Sequence, residues 1–338
     1  MDARLGHGGR RGRTTGRGGY AVPGRVDQQT GRGCGGAGAG LARAHVARPG
    51  HQHLPDVREA SRERVHGETE VTLRHLLSHS GGVTVSGFRG YASTEAVPTL
   101  VQLLDGMKPA NSAAVRVDIP VGSRWRYAGG GYSIVQLAVQ DVTKKTFADA
   151  ARELVLEPLG MLHSTFAQPI PAALRSSAAT GYGPSGDPIA GRFHTHPGQA
   201  AAGLWTTPED LTRFAIALQQ IAVGNSRQTI MSRDLAAQMM RPVLDEYGLG
   251  FGVTGTGRET QFGHGGSNVG FRCQLTAFKD EASGVAIMTN SDRGGAILQE
   301  VVRAVARDYG WAGIAPLERT LGTADPATYK DFAGRYEI

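Results

Sequence analysis

The chain has 338 residues, 40% hydrophobic and 20% charged, a globular balance with room for one large domain or two ordinary ones. It holds no apolar run of about eighteen residues, which excludes a spanning helix. No basic-led apolar leader with a small-residue cleavage site is readable either, so the default compartment is the cytoplasm. The net charge of +6 is confined to residues 1–66, where 12 Arg and no Lys face 5 acids, while the remainder carries a balance of −1. A neutral body offers no field for steering polyanions, so nucleic acid is not an expected partner.

Residues 1–66 hold 15 of the 49 glycines and no Lys, Ile, Phe, Trp or Asn. Their few apolar side chains follow neither a period of two nor one of 3.6. Such a stretch buries too little area to offset its chain entropy, which predicts disorder. Two other readings compete. Arg10-Arg11-Gly12-Arg13 and Arg17-Gly18-Gly19 fit an RNA-binding arm, although Tyr20 is its one aromatic residue. Alternatively, four of the missing residue types have AT-rich codons, as expected of a GC-rich gene translated out of frame.

Residues 67–311 read as one domain. Helices are predicted over Val71–Leu77 with Thr72 as cap, over Pro98–Asp105 closed by Gly106, over about Tyr132–Val142, and over Phe147–Leu156. Residues 175–203 are turn-rich and long enough to shape a site. Thr207-Pro208-Glu209-Asp210 starts a helix whose apolar face is Leu211, Phe214, Ala215, Leu218 and Ile221, ended by Gly224. Strands are predicted over Tyr247–Val253, Phe271–Phe278 and Val285–Thr289, then a helix over Ala296–Tyr309. Helices first and strands late predict an α+β fold, an antiparallel sheet flanked by helices. Residues 312–338 read as a linker and the start of a truncated element at Tyr329–Tyr336.

No metal or other cofactor is expected. Cys34 and Cys273 cannot build a zinc knot, and His75 and His79, four apart, lack a third ligand or a glutamate base. His194 and His196 lack one too. Gly129-Gly130-Gly131 has no lysine after it to make a phosphate cradle, and no Gly-x-Ser-x-Gly elbow occurs.

Four motifs remain. Leu76-Leu77-Ser78-His79-Ser80-Gly81-Gly82 is followed by Trp125-Arg126-Tyr127-Ala128-Gly129-Gly130-Gly131-Tyr132, then by Gly203-Leu204-Trp205-Thr206-Thr207-Pro208-Glu209-Asp210-Leu211, and last by Phe262-Gly263-His264-Gly265-Gly266-Ser267. In content and order they resemble the serine hydrolases related to class C β-lactamases, which include penicillin-binding DD-peptidases and β-lactamase-like esterases. The resemblance spans residues 70–311. It implies an ester or amide substrate, small or peptidic, and an acyl-enzyme formed by the serine of a Ser-x-x-Lys helix. Tyr127 would share the proton work, needing a cation beside it because a free phenol has a pKa of about 10. His264 would take the basic position of the third motif, with Gly265 and Gly266 beside the substrate. The backbone N–H of Ser267 would be one oxyanion donor. Trp205 would line the pocket, with plain burial as the alternative. Gly129 stands where many relatives have Asn, and this, with histidine at 264, points to the esterase and peptidase-like branch.

The nucleophile is missing. The five lysines, Lys108, Lys144, Lys145, Lys279 and Lys330, follow Asp105, Asp141, Val142, Thr276 and Ala327 at the third position back, so no Ser-x-x-Lys exists. Shifted by one nucleotide, codons for Ala21–Arg32 permit the string FPVGSISKPVA, and those for Gly50–Val57 permit DINTYLTS. The preferred reading is therefore a serine hydrolase whose first segment is out of frame, inactive as written. A non-catalytic relative binding a peptide or cell-wall fragment is the first alternative, and the RNA-binding arm the second.

Overall fold

Short capping boxes start the helical half of the molecule. In the computed structural model the described residues are 22–23, 70–226, 230–280, 282–314, 325–332 and 334. The disordered, RNA-binding and out-of-frame readings of residues 1–66 fall outside them, apart from two residues of backbone. Thr72 caps α1 (Leu73–Leu77): its hydroxyl takes the His75 N–H, and His75 Nδ1 takes the Thr72 N–H at 3.3 Å, so histidine fills the usual Glu/Gln role. Thr99 and Gln102 repeat the device at α2 (Leu100–Asp105), which leaves Pro98 outside the helix rather than at its first position. Gly106 closes α2 at φ 65°.

The long helix α3 (Gly129–Thr143) begins three residues earlier than its apolar period suggests, because its first turn is the glycine triplet, packed against residues 84–87. Next come α4 (Phe147–Ala151), running on into a π-helical turn over Arg152–Leu156, and the single turns α5 (Ala172–Arg175) and α6 (Gln199–Ala202). Helix α7 (Pro208–Val223) starts as expected, with Thr207 accepting from the Asp210 N–H and Pro208 at its first position, and Gly224 ends it at φ 80°. Helix α8 (Arg233–Met239) follows.

Two sheets organise the described chain. The backbone of β1 (Val22–Pro23) pairs with β2 (Trp205–Thr206). The main sheet is antiparallel, in the order β3 (Gly252–Thr254), β4 (Gln261–Asn268), β5 (Phe271–Phe278), β6 (Gly284–Thr289), and α9 (Gly295–Tyr309) packs on β5 and β6. This is the α+β arrangement that the order of patterns implies. The first expected strand shrinks to β3, because Tyr247 belongs to a turn in which its N–H reaches the Leu244 carbonyl at 3.2 Å. Past α9, Trp311 packs on Phe278, with ring centroids 5.2 Å apart, and a 3-10 segment covers Pro326–Phe332.

The main core joins α7 to the sheet. Phe214, Phe251 and Phe262 form a continuous line, with Phe251 and Phe262 edge to face at 5.0 Å, and Leu211, Leu218 and Leu275 fill around them. Each such side chain stabilises the fold by about 1.5–3 kcal/mol through burial. The line pins β3 and β4 from behind and so fixes the wall of the cleft in front of them. Among the described residues no helix is long and apolar enough to cross a membrane, and no group of three or more His, Cys, Asp or Glu could hold a metal ion.

Candidate active site

The cleft forms where the loop after α1, the residues before α3, and the strands β3 and β4 meet. Arg126 ties the first two together. Its N–H donates to the His79 carbonyl at 2.9 Å, its guanidinium reaches the carbonyls of Gly82 (2.6 Å) and Val83 (3.1 Å), and it pairs with Asp118. Trp125 and Tyr127, on either side of it, are thereby held over the loop. Leu77 ties in the third segment, its carbonyl accepting from the Tyr132 hydroxyl at 2.7 Å and from the Gly250 N–H at 3.1 Å.

His79 lies at the centre of this junction. Helix α1 stops at Leu77 and His79 sits at φ 58°, so it does not share a helix face with His75 as their spacing suggests. It is 2% exposed. Its ring is 4.3 Å from Tyr127, 4.8 Å from Tyr247, 5.1 Å from Tyr132 and 6.1 Å from Trp125. Nδ1 accepts the Ala128 N–H at 3.1 Å, so this nitrogen carries no hydrogen and the imidazole is neutral. His79 therefore orders the rings but is not the cation that a tyrosine base requires.

The cleft itself has a volume of about 710 Å³. Trp125, Tyr127 and Tyr247 form one wall, with the exposed Asp245 and Glu246 at its rim, and His264, Gly265 and Gln274 also line the cleft. The rings of Tyr127 and His264 are 5.8 Å apart, and those of Tyr247 and His264 are 6.3 Å apart. His264 is buried, and its Nδ1 lies 2.6 Å from the Gly265 carbonyl. A carbonyl only accepts, so Nδ1 carries the hydrogen and a neutral ring keeps its lone pair on Nε2.

The edge of β4 decides where its amides point. Thr260 takes the Lys279 N–H, which turns the even-numbered main-chain groups of β4 toward β5, and Val253 gives its N–H to Glu246, which turns Gly252 and Thr254 toward β4. By this alternation the main-chain groups of Gly265 and Ser267 lie on the opposite edge. Strand β3 ends opposite Gly263, so no described strand covers that edge beside Gly265 and Ser267.

The structure thus brings Tyr127, His264 and Gly265 onto one cleft, with the Ser267 N–H on the adjoining open edge. It places Trp205 elsewhere: 1% exposed, packed on Phe193 at 4.7 Å and Phe271 at 6.2 Å, away from the cleft lining. Gly129 is buried in the first turn of α3, and Gly266 sits within β4, paired with Cys273. Residues 175–203 do not line the cleft either. Arg192 cross-links that loop through the carbonyls of Arg175 and Ala178, and Gly181 packs on Phe271. Sequence reasoning set His79 aside and did not single out Tyr247, Asp245 or Glu246. The signal for His79 was its place within the first of the four motifs.

Comparison with known proteins bears on the fold and the family. The family described as Beta-lactamase matches residues 3–307. Among solved structures, the chain is similar to a penicillin-binding protein from Bacillus halodurans (18% identity, TM-score 0.61, 85% of each chain covered). It is also similar to the D-amino acid amidase from Ochrobactrum anthropi SV3 complexed with D-phenylalanine (17% identity, TM-score 0.62, covering 86% of this chain and 93% of that one). A third is SurE with D-Leu (19% identity, TM-score 0.59, covering 91% and 67%). No curated protein matches the sequence. With a family match over nearly its whole length and the same antiparallel α+β architecture as these structures, the chain belongs to the beta-lactamase family.

Proposed function

We propose that this chain derives from a serine hydrolase that cleaves an ester or amide through an acyl-enzyme, and that it is inactive as written. The observation that carries the reading is the convergence of Tyr127 and His264 on one cleft, next to an open strand edge that bears the Ser267 N–H. In the intact enzyme the serine hydroxyl would add to the substrate carbonyl, its proton passing to Tyr127 and on to the leaving oxygen or nitrogen. The oxyanion would rest on the Ser267 N–H and the nucleophile's own N–H. Water would then release the acid. An amidase and a penicillin-binding protein among the structural relatives support an amide or peptide substrate.

The Ser-x-x-Lys pair is the missing part, and an out-of-frame first segment accounts for its loss. Sequencing the first two hundred or so bases of the gene tests this. A one-base shift that restores Ser-x-x-Lys, and a repaired protein whose new serine takes a fluorophosphonate label, support the reading. No restoring shift in any frame removes it. A second reading, a relative that binds without turnover, rests on the same absence of Ser-x-x-Lys. It predicts ligand binding with no covalent label even in the repaired protein.

A further inference from the structure

Among the described residues the charge in the cleft is one-sided: of the 14 that line it, two are carboxylates, Asp245 and Glu246, and none is Lys or Arg. The carboxylates stand on a tight turn held by the Val243 N–H to the Tyr247 carbonyl (2.8 Å) and the Tyr247 N–H to the Leu244 carbonyl (3.2 Å), with Asp245 at φ 49°. Both are exposed, and neither forms an ion pair with another described residue. Directly beside them three aromatic rings from two separate segments form a wall: Trp125 lies 5.7 Å from Tyr247 and 6.4 Å from Tyr127. Aromatic faces attract cations within about 6 Å through the ring quadrupole, and carboxylates without a cationic partner add a net negative potential.

We propose that the cleft selects substrates carrying an ammonium group close to the scissile carbonyl, held against Trp125, Tyr127 and Tyr247 under the field of Asp245 and Glu246. This rests on the hydrolase reading for the word substrate, but the selectivity is a property of binding. The same wall disfavours a ligand with a carboxylate at that end, because no Lys or Arg among the described residues lines the cleft to receive it.

The test uses the full chain as it exists and needs no turnover. Benzyltrimethylammonium and phenylacetate share a ring and differ in the sign of the charge, and titration of each is followed by calorimetry and tryptophan fluorescence. Benzyltrimethylammonium is expected to bind at least about tenfold more tightly, a difference of about 1.4 kcal/mol. In the Asp245→Asn/Glu246→Gln double variant the preference should fall to within about twofold. Asn tolerates the left-handed backbone at 245 and both side chains are exposed, so the fold is preserved, which circular dichroism checks. Equal binding, no binding of either probe, or a preference that survives in the double variant overturns the proposal. Failure of the repaired protein to take a fluorophosphonate label would overturn the hydrolase reading while leaving this selectivity standing, so the two failures are separable.

Discussion

The His79 imidazole takes the Ala128 N–H on Nδ1 at 3.1 Å, one residue beyond the tyrosine whose ring it contacts at 4.3 Å. One side chain thus fixes both the backbone and the ring at the position proposed for the catalytic base. His79→Ala leaves a buried N–H without its acceptor and a cavity between four aromatic rings, which together should cost about 2–4 kcal/mol of stability. His79→Asn keeps an acceptor and tolerates positive φ, so it should lose less. Urea denaturation of the three proteins measures the order, and equal losses would show that the hydrogen bond contributes nothing.

The chain as it stands should hydrolyse p-nitrophenyl esters no faster than buffer, and Tyr127→Phe should change nothing. The sequence has no Ser-x-x-Lys, and a tyrosine base has no nucleophile to activate. Turnover above the blank that Tyr127→Phe abolishes would mean that some other serine in the chain is the nucleophile.

Gly263→Ala should open the sheet behind the cleft. A Cβ at this position would run into the Leu275 carbonyl oxygen and the backbone of Thr276, neither of which is a flexible side-chain tip. Strand β4 must then move off β5, carrying His264 with it. The expected loss is about 1–3 kcal/mol, read as a lower urea midpoint, together with weaker quenching of Trp125 by cleft ligands. An unchanged midpoint would show that the strands can part without cost.

His75 predicts a pH dependence. Burial, chiefly, lowers its pKa below the usual 6.5, although a backbone hydrogen bond opposes the shift. The neutral ring is the form that accepts the Thr72 N–H. A histidine with a lowered folded-state pKa contributes stability that is fully present above pH 6.5 and fades as the pH falls from there toward the folded value. Thermal denaturation of wild type and His75→Gln, which keeps a capping side chain and cannot titrate, should diverge below pH 6.5 in favour of the variant. Parallel curves would exclude the cap as the source.

Asp105 predicts the opposite sign. It sits at the C-terminal end of α2, and one of its carboxylate oxygens is buried without a hydrogen bond. Desolvation raises its pKa, against a smaller pull from Arg116. A raised acid costs stability once the pH exceeds its unfolded value. Asp105→Asn should therefore raise the melting temperature at about pH 7 and gain less as the assay pH falls toward about 4, near the ordinary carboxylate value. A loss at neutral pH would contradict the desolvation account.

Legibility followed local chemistry. The starts at Thr72 and Thr207 and the stops at Gly106 and Gly224 were readable because capping acts within three or four residues. Strand β5 was readable from its alternation, Phe271, Cys273, Leu275 and Ala277 buried on one face. Strand β4 carries Gly-His-Gly-Gly, which has no apolar period, and only its resemblance to a family motif marked it. The role of His79 was hidden for a different reason: its partners lie about fifty residues away at Tyr127 and Ala128 and farther still at Tyr247, so no spacing rule reaches them. Asp245 and Glu246 looked like any solvated turn until the fold placed them on the rim.

The glycine triplet that opens α3 carries a lesson for protein engineering. A Cβ on Gly130 would meet the Thr84 carbonyl at 2.6 Å and Val115 at 2.9 Å, while the Gly129 and Gly130 N–H groups bond the carbonyls of Ser86 and Val85. The position of Tyr127 is thus set by the absence of side chains on the adjoining helical turn. Randomised libraries meant to retune recognition should leave 129 and 130 untouched and place their diversity at 246, with 245 restricted to Asp, Asn and Gly, which accept its left-handed backbone.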